Sequence, residues 1–152
     1  MRMDWTYFLP CLWAFLACVG FCVIFNIRTG VLICCFGGAL GWLVYLLTML
    51  AFGNDLVCNF LAAMAISLYS EIMARIRKCP VTGYLLVSFF PLVPGAGIYY
   101  TMQYVLRGDT EMFVQSGLHI LGIAGCLALG VLVMSSIVRM TITFRRNRRS
   151  GK

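Results

Sequence analysis

Between Phe89 and Tyr100 the sequence reads FFPLVPGAGIYY, and two prolines there deny a helix two of its bonds. Pro91 has no N–H to offer the carbonyl of Val87, and Pro94 has none for that of Phe90, so a helix through this stretch must break. If Pro94 opens a second helical segment, as proline at a first helical position does, the amides of Gly95, Ala96 and Gly97 are left free at its positive end. Such an end binds anions, carboxylates among them, and discontinuous helices of transporters use it so near the membrane midplane. The competing reading is a kink packed against a neighbouring helix, its carbonyls met by serines or water.

Other candidates lie on either side of the break. Tyr99, Tyr100, Thr101, Gln103 and Tyr104 make the turns after it polar, with Tyr100 and Tyr104 on one face and Gln103 beside them. They line a wet path, or they anchor the chain at the headgroups, since Arg107 follows within a turn. Glu111, Gln115 and His119 recur every four residues and form one helical stripe. Histidine as a residue type titrates near neutral pH, so a proton relay from Glu111 to His119 is one expectation; a histidine that only hydrogen-bonds a neighbouring helix is the other. Upstream, Asn59, Ala63, Ser67 and Glu71 share the same repeat. Glu71 precedes Arg75 by four residues, the favoured order for a helix ion pair, so it serves either the helix end or transport.

The elements that must hold these residues are membrane helices. The 152-residue chain is 62% hydrophobic and only 11% charged, with a mean hydropathy of +0.93, against about 25% charged residues in a soluble domain. Apolar runs separated by NIRTG, GNDL, RIRKCP and RGDTE predict an all-α integral membrane protein with five transmembrane helices. The spans fall near 5–25, 31–52, 56–75, 82–106 and 112–140, the fourth broken at PLVPG. They form a single transmembrane domain, followed by a basic tail at 141–152. No room remains for a soluble catalytic domain. The first run is about 20 residues long, lacks a small-residue cleavage site, and follows an Arg2 offset by Asp4, so it reads as a retained span rather than a signal peptide.

Charge sets the direction. Arg28, then Arg75, Arg77 and Lys78, then Arg139, Arg145, Arg146, Arg148, Arg149 and Lys152 follow odd-numbered spans and account for ten of the twelve basic residues. Arg2 and Arg107 share the other side with Asp4, Asp55, Asp109 and Glu111. The positive-inside rule therefore puts the amino terminus outside and the carboxyl terminus in the cytoplasm. The basic tail is expected to anchor this topology and attract anionic lipid headgroups, not nucleic acid. Gly37 and Gly41, with Gly30, Cys34 and Gly38 around them, and Gly117, Gly122, Gly125 and Gly130 further on, mark faces for close helix approach. Those faces serve packing within the chain or in a homo-oligomer. The eight cysteines lie scattered in apolar runs and read as small buried hydrophobes; no disulfide framework, metal site or organic cofactor is expected.

From Ser67 to Met102, through SEIMAR, the basic turn with its proline, and PLVPG, the sequence resembles the threonine/serine exporter family, specifically its small membrane module of about 150 residues. The likeness extends over nearly the whole chain, from a first span ending in IFN to the short RGD loop. It implies a small subunit that works with a larger helical partner to export carboxylate-bearing metabolites, either threonine and serine or dicarboxylates such as succinate, driven by the proton-motive force. It also implies a cell (inner) membrane location. On this reading the substrate site comprises Pro91, Pro94, Gly95, Ala96, Gly97, Tyr100, Gln103 and Tyr104, with His119, Glu111 and Glu71 as proton-coupling candidates. A non-transporting scaffold subunit is the alternative. Neither hydrolytic nor redox chemistry is expected, because the single histidine has no nucleophile and carboxylate at recognisable spacing.

Overall fold

The computed structural model describes residues 9–26 and 31–150, with side chains over 9–26 and 33–144. Among the described residues the chain is entirely helical: α1 Leu9–Ile24, α2 Val31–Phe52, α3 Asp55–Arg77, α4 Val81–Phe89, a 3-10 turn at Phe90–Leu92, α5 Gly95–Leu106 and α6 Thr110–Ser150. Each stop has a local cause. Gly53 takes a left-handed φ of 65° that glycine tolerates, and Asn54 then caps α3 by accepting from the Leu56 amide at 3.1 Å. Lys78 ends α3 in a left-handed conformation, its amide returning to the Ala74 carbonyl. Asp109 caps α6 through the Met112 amide at 3.2 Å.

Among the described residues, three helices are long and apolar enough to cross a bilayer: α2 from Ile33 to Phe52, α3, and α6 from Thr110 to Phe144. α4 and α5 form a fourth unit bent by 54°. The first expected span corresponds to α1, sixteen residues long; Trp5 to Phe8, with which that span was expected to begin, lie outside the described residues. The last span does not stop near Met140. With no glycine or proline between Met140 and Ser150 to stop it, α6 runs 41 residues to Ser150, about 60 Å at 1.5 Å per residue, so the basic segment extends the helix well beyond a hydrocarbon layer of about 30 Å.

The bent pair is either one broken span or a loop that re-enters its own side, and helix direction decides between them. Contacts between α3 and α6 rise together along both helices. Asp55 meets His119, Leu56 meets Gly122, Phe60 and Ala63 meet Gly130, and Ser67 meets Ser135. The two helices are parallel and start at the same membrane face. The chain between the end of α3 and the start of α6 must therefore cross back, and only α4 and α5 are there to do it.

Glycines pack the helices within the chain. A Cβ at Gly37 would collide with Ser88, one at Gly38 with Cys18, and one at Gly41 with Ile66; at Gly130 it would lie 2.7 Å from the Phe60 carbonyl oxygen. Without a hydrophobic force between helices in lipid, such close backbone approach is what holds them. Gly125 meets nothing within 4 Å. Two buried clusters result. One joins Cys18, Cys22, Cys34, Cys35, Ala74, Tyr84 and Val87 between α1, α2, α3 and α4; the other joins Ala62, Ala63, Ile66, Leu92, Ile123 and Leu127 between α3, the break and α6.

The break itself is satisfied locally. The Val87 carbonyl, freed by Pro91, accepts the Cys18 thiol at 3.4 Å, and the Phe90 carbonyl, freed by Pro94, accepts the Val93 amide at 3.3 Å. Cys18 is thus a donor as well as a small buried side chain. Cys18→Ala leaves the Val87 oxygen unmatched in an apolar setting and is expected to cost about 1–3 kcal/mol. Cys18→Ser keeps a donor and should cost less. Thermal unfolding in detergent ranks the two, and equal losses would mean that the thiol acts through volume alone.

Candidate functional site

The broken helix borders a cavity of about 340 Å³ lined by Trp42 and Tyr45 of α2, Asp55 and Asn59 of α3, Pro91 to Ala96 of the break, and Ile123 of α6. That volume lies at the lower end for small-molecule sites. Why the cavity sits there follows from the packing. Ser88 donates to the Cys34 carbonyl at 3.0 Å, fixing α4 on α2, while Pro91 rests near Gly38 and Leu92 near Gly41. After Leu92 the chain bends away, and α5 leaves α2 to run antiparallel against α6, with Gly97 beside Ile120 and Thr101 beside Gly117.

One wall is the amino end of α5. Pro94 is the residue before the helix rather than its first member, with φ −76° and ψ 57°; the helix starts one residue later than expected because ψ of Pro94 is not helical. The first intrahelical bond runs from the Ile98 amide to the Pro94 carbonyl at 3.1 Å, and the Gly95 amide turns back to Val93 at 2.7 Å. The amides of Ala96 and Gly97 come before any helical partner.

The lining from α2 and α3 is polar and centres on Asp55. Its Oδ1 accepts the Tyr45 hydroxyl at 2.7 Å and the Asn59 amide at 3.1 Å. Its Oδ2 lies 3.2 Å from His119 Nε2, and with the carboxylate ionised the ring carries its proton on that nitrogen. Asn59 also donates to the Asp55 carbonyl at 2.8 Å. Trp42 contributes an Nε1–H that is buried without a partner.

Of the residues singled out in the sequence, Pro91, Pro94, Gly95 and Ala96 border this cavity. Gly97 does not; its bare face meets Ile120 at 3.2 Å. Tyr100 lies exposed on α5, its ring against Tyr99, and Gln103 and Tyr104 are half-buried further along. Glu111 lies with Gln115 in an open groove along α6, while His119, two turns on, bonds Asp55. Glu71 is buried at the other end of α3 and pairs with Arg75 at 2.9 Å, the helix ion pair its spacing allows.

Asp55, Tyr45 and Trp42 were not singled out for the site. A signal for Asp55 was present: it stands four residues before Asn59 and extends the Asn59, Ala63, Ser67, Glu71 stripe by one step. At the head of a helix an acid also serves the helix dipole, which hides any second role.

The family model described as Threonine/Serine exporter, ThrE, matches residues 10–137. The chain belongs to the threonine/serine exporter family. The matched stretch takes in the break and every residue that lines the cavity, and leaves out the basic end of α6. No curated protein and no solved structure matches the chain. As a multi-pass helical member of an exporter family, this protein has a polar cavity at the interrupted helix.

Proposed function

We propose that this chain is the small membrane subunit of an exporter for carboxylate-bearing metabolites, threonine and serine or dicarboxylates such as succinate, and that it works with a larger helical partner. The cavity at the amino end of α5 carries the reading. A substrate carboxylate there meets the Ala96 amide at the positive end of α5, and the Trp42 Nε1–H gives it a further donor. Amides fixed in a helix end hold an anion without carrying a net charge that must itself be desolvated.

Alternating access follows as α5 pivots at Val93 and Pro94 while α2, α3 and α4 stay locked by their glycine contacts. The amino terminus faces outward and the basic end of α6 lies in the cytoplasm, so the cavity opens in the outer half of the membrane. Export draws on the proton-motive force, and His119 is the residue best placed to couple it, because Asp55 links it to the cavity. The scaffold reading also has an observation in its favour, since the carbonyls freed at the break are already satisfied within the chain.

Cells loaded with a threonine-containing dipeptide, or separately with succinate, test the proposal. Efflux of one of the two is expected to rise when the chain is expressed with its larger partner, and to fall back when this chain is omitted. Efflux that is indifferent to the chain would reject the reading.

A further inference from the structure

The cavity holds two electrostatically opposite ends. The lining takes in the Ala96 amide at the positive end of α5, and it also takes in the Asp55 carboxylate. We propose that Asp55 binds the ammonium group of the substrate, and so makes the cavity selective for α-amino acids against dicarboxylates. The inference rests on the reading of that cavity as the substrate site.

The geometry around Asp55 suits this role. Tyr45 and Asn59 both donate to Oδ1, which fixes the carboxylate plane and leaves Oδ2 for a further donor. That donor is now His119, whose side chain is 54% exposed and does not line the cavity. An ammonium has three N–H donors and no acceptor, so it satisfies Oδ2 and draws on the Asn59 Oδ1, for which the described residues supply no donor. A dicarboxylate reverses the match: with one carboxylate at the positive end of α5, its second meets Asp55 as a like charge. Substrate identity at this site is thus a question of charge pattern more than of volume.

Competition against radiolabelled threonine, with the full-length chain and its larger partner together in lipid nanodiscs, tests the inference. For the unaltered chain, serine is expected to compete as threonine does, while N-acetyl-threonine, which lacks the ammonium, and succinate compete at least about tenfold more weakly, in keeping with a lost charge-assisted contact. Asp55→Asn keeps an acceptor for Tyr45 and Asn59. It should weaken threonine by about tenfold or more and leave succinate unchanged or tighter. Equal competition by succinate or N-acetyl-threonine in the unaltered chain, or one common factor for all ligands in Asp55→Asn, overturns the proposal. Should Asp55→Asn fail to fold, the ligand series on the unaltered chain decides alone. If threonine does not bind, or Gly95→Leu leaves its binding intact, the cavity is not the site, and the reading of the cavity falls together with the proposal.

Discussion

Leucine in place of Gly95 or Ala96 is expected to abolish export while the chain stays in the membrane at normal abundance. Both positions border the cavity, and a Cβ at Gly95 would meet nothing within 4 Å, so the added side chain occupies space without displacing a helix. A drop of about tenfold or more in threonine efflux is the expected size, which about 1.4 kcal/mol of lost binding suffices to produce. Gly97 is the wrong place for this test. Its missing side chain faces Ile120 across the α5 and α6 contact, so a leucine there would confound packing with binding. A subunit that only scaffolds its partner would export normally with leucine at Gly95 or Ala96, and that outcome would move the substrate site elsewhere.

His119→Gln is expected to uncouple export from the proton gradient while leaving downhill movement of substrate intact. Glutamine keeps a donor for Asp55, so the contact between α3 and α6 survives, but it takes up no proton in the physiological range. The ring touches Asp55 of α3, whose carboxylate Tyr45 of α2 shares; Glu111 lies two turns earlier on the same helix. Efflux from energised vesicles, with and without a protonophore, reads the effect. Protonophore-sensitive transport should fall about tenfold or more, an effect of the size a general acid–base group supplies. His119→Ala should show the same loss together with reduced abundance, because it also removes the bridge to Asp55. Unchanged protonophore sensitivity in His119→Gln would leave the histidine a structural link only.

These expectations draw unequally on sequence and fold. That the chain crosses a membrane in helices, and that one of them is interrupted at Pro91 and Pro94, is written in composition and in the chemistry of proline. Both are local: hydropathy sums over a window, and a missing N–H removes a bond wherever it occurs. The pairing of Glu71 with Arg75 was legible for the same reason, since four residues on a helix fix the distance. The glycine stripes announced close packing but not their partners, because the residue that fills a groove comes from another part of the chain: Ser88 for Gly37, Cys18 for Gly38, Ile66 for Gly41.

What only the tertiary structure decided is which polar groups meet. His119 has Glu111 and Gln115 on its own helix, and sequence spacing favours them, yet its partner is Asp55, 64 residues away. Cys18 reads as a small hydrophobe until Val87 is brought to it across 69 residues. Even the nature of the bent pair was fixed at a distance, by the parallel course of α3 and α6. Sequence alone specified an interrupted helix with free amides; the fold brought Asp55 to the same cavity, because α5 turns away from α2 after Leu92 while α3 stays packed against both α2 and α6.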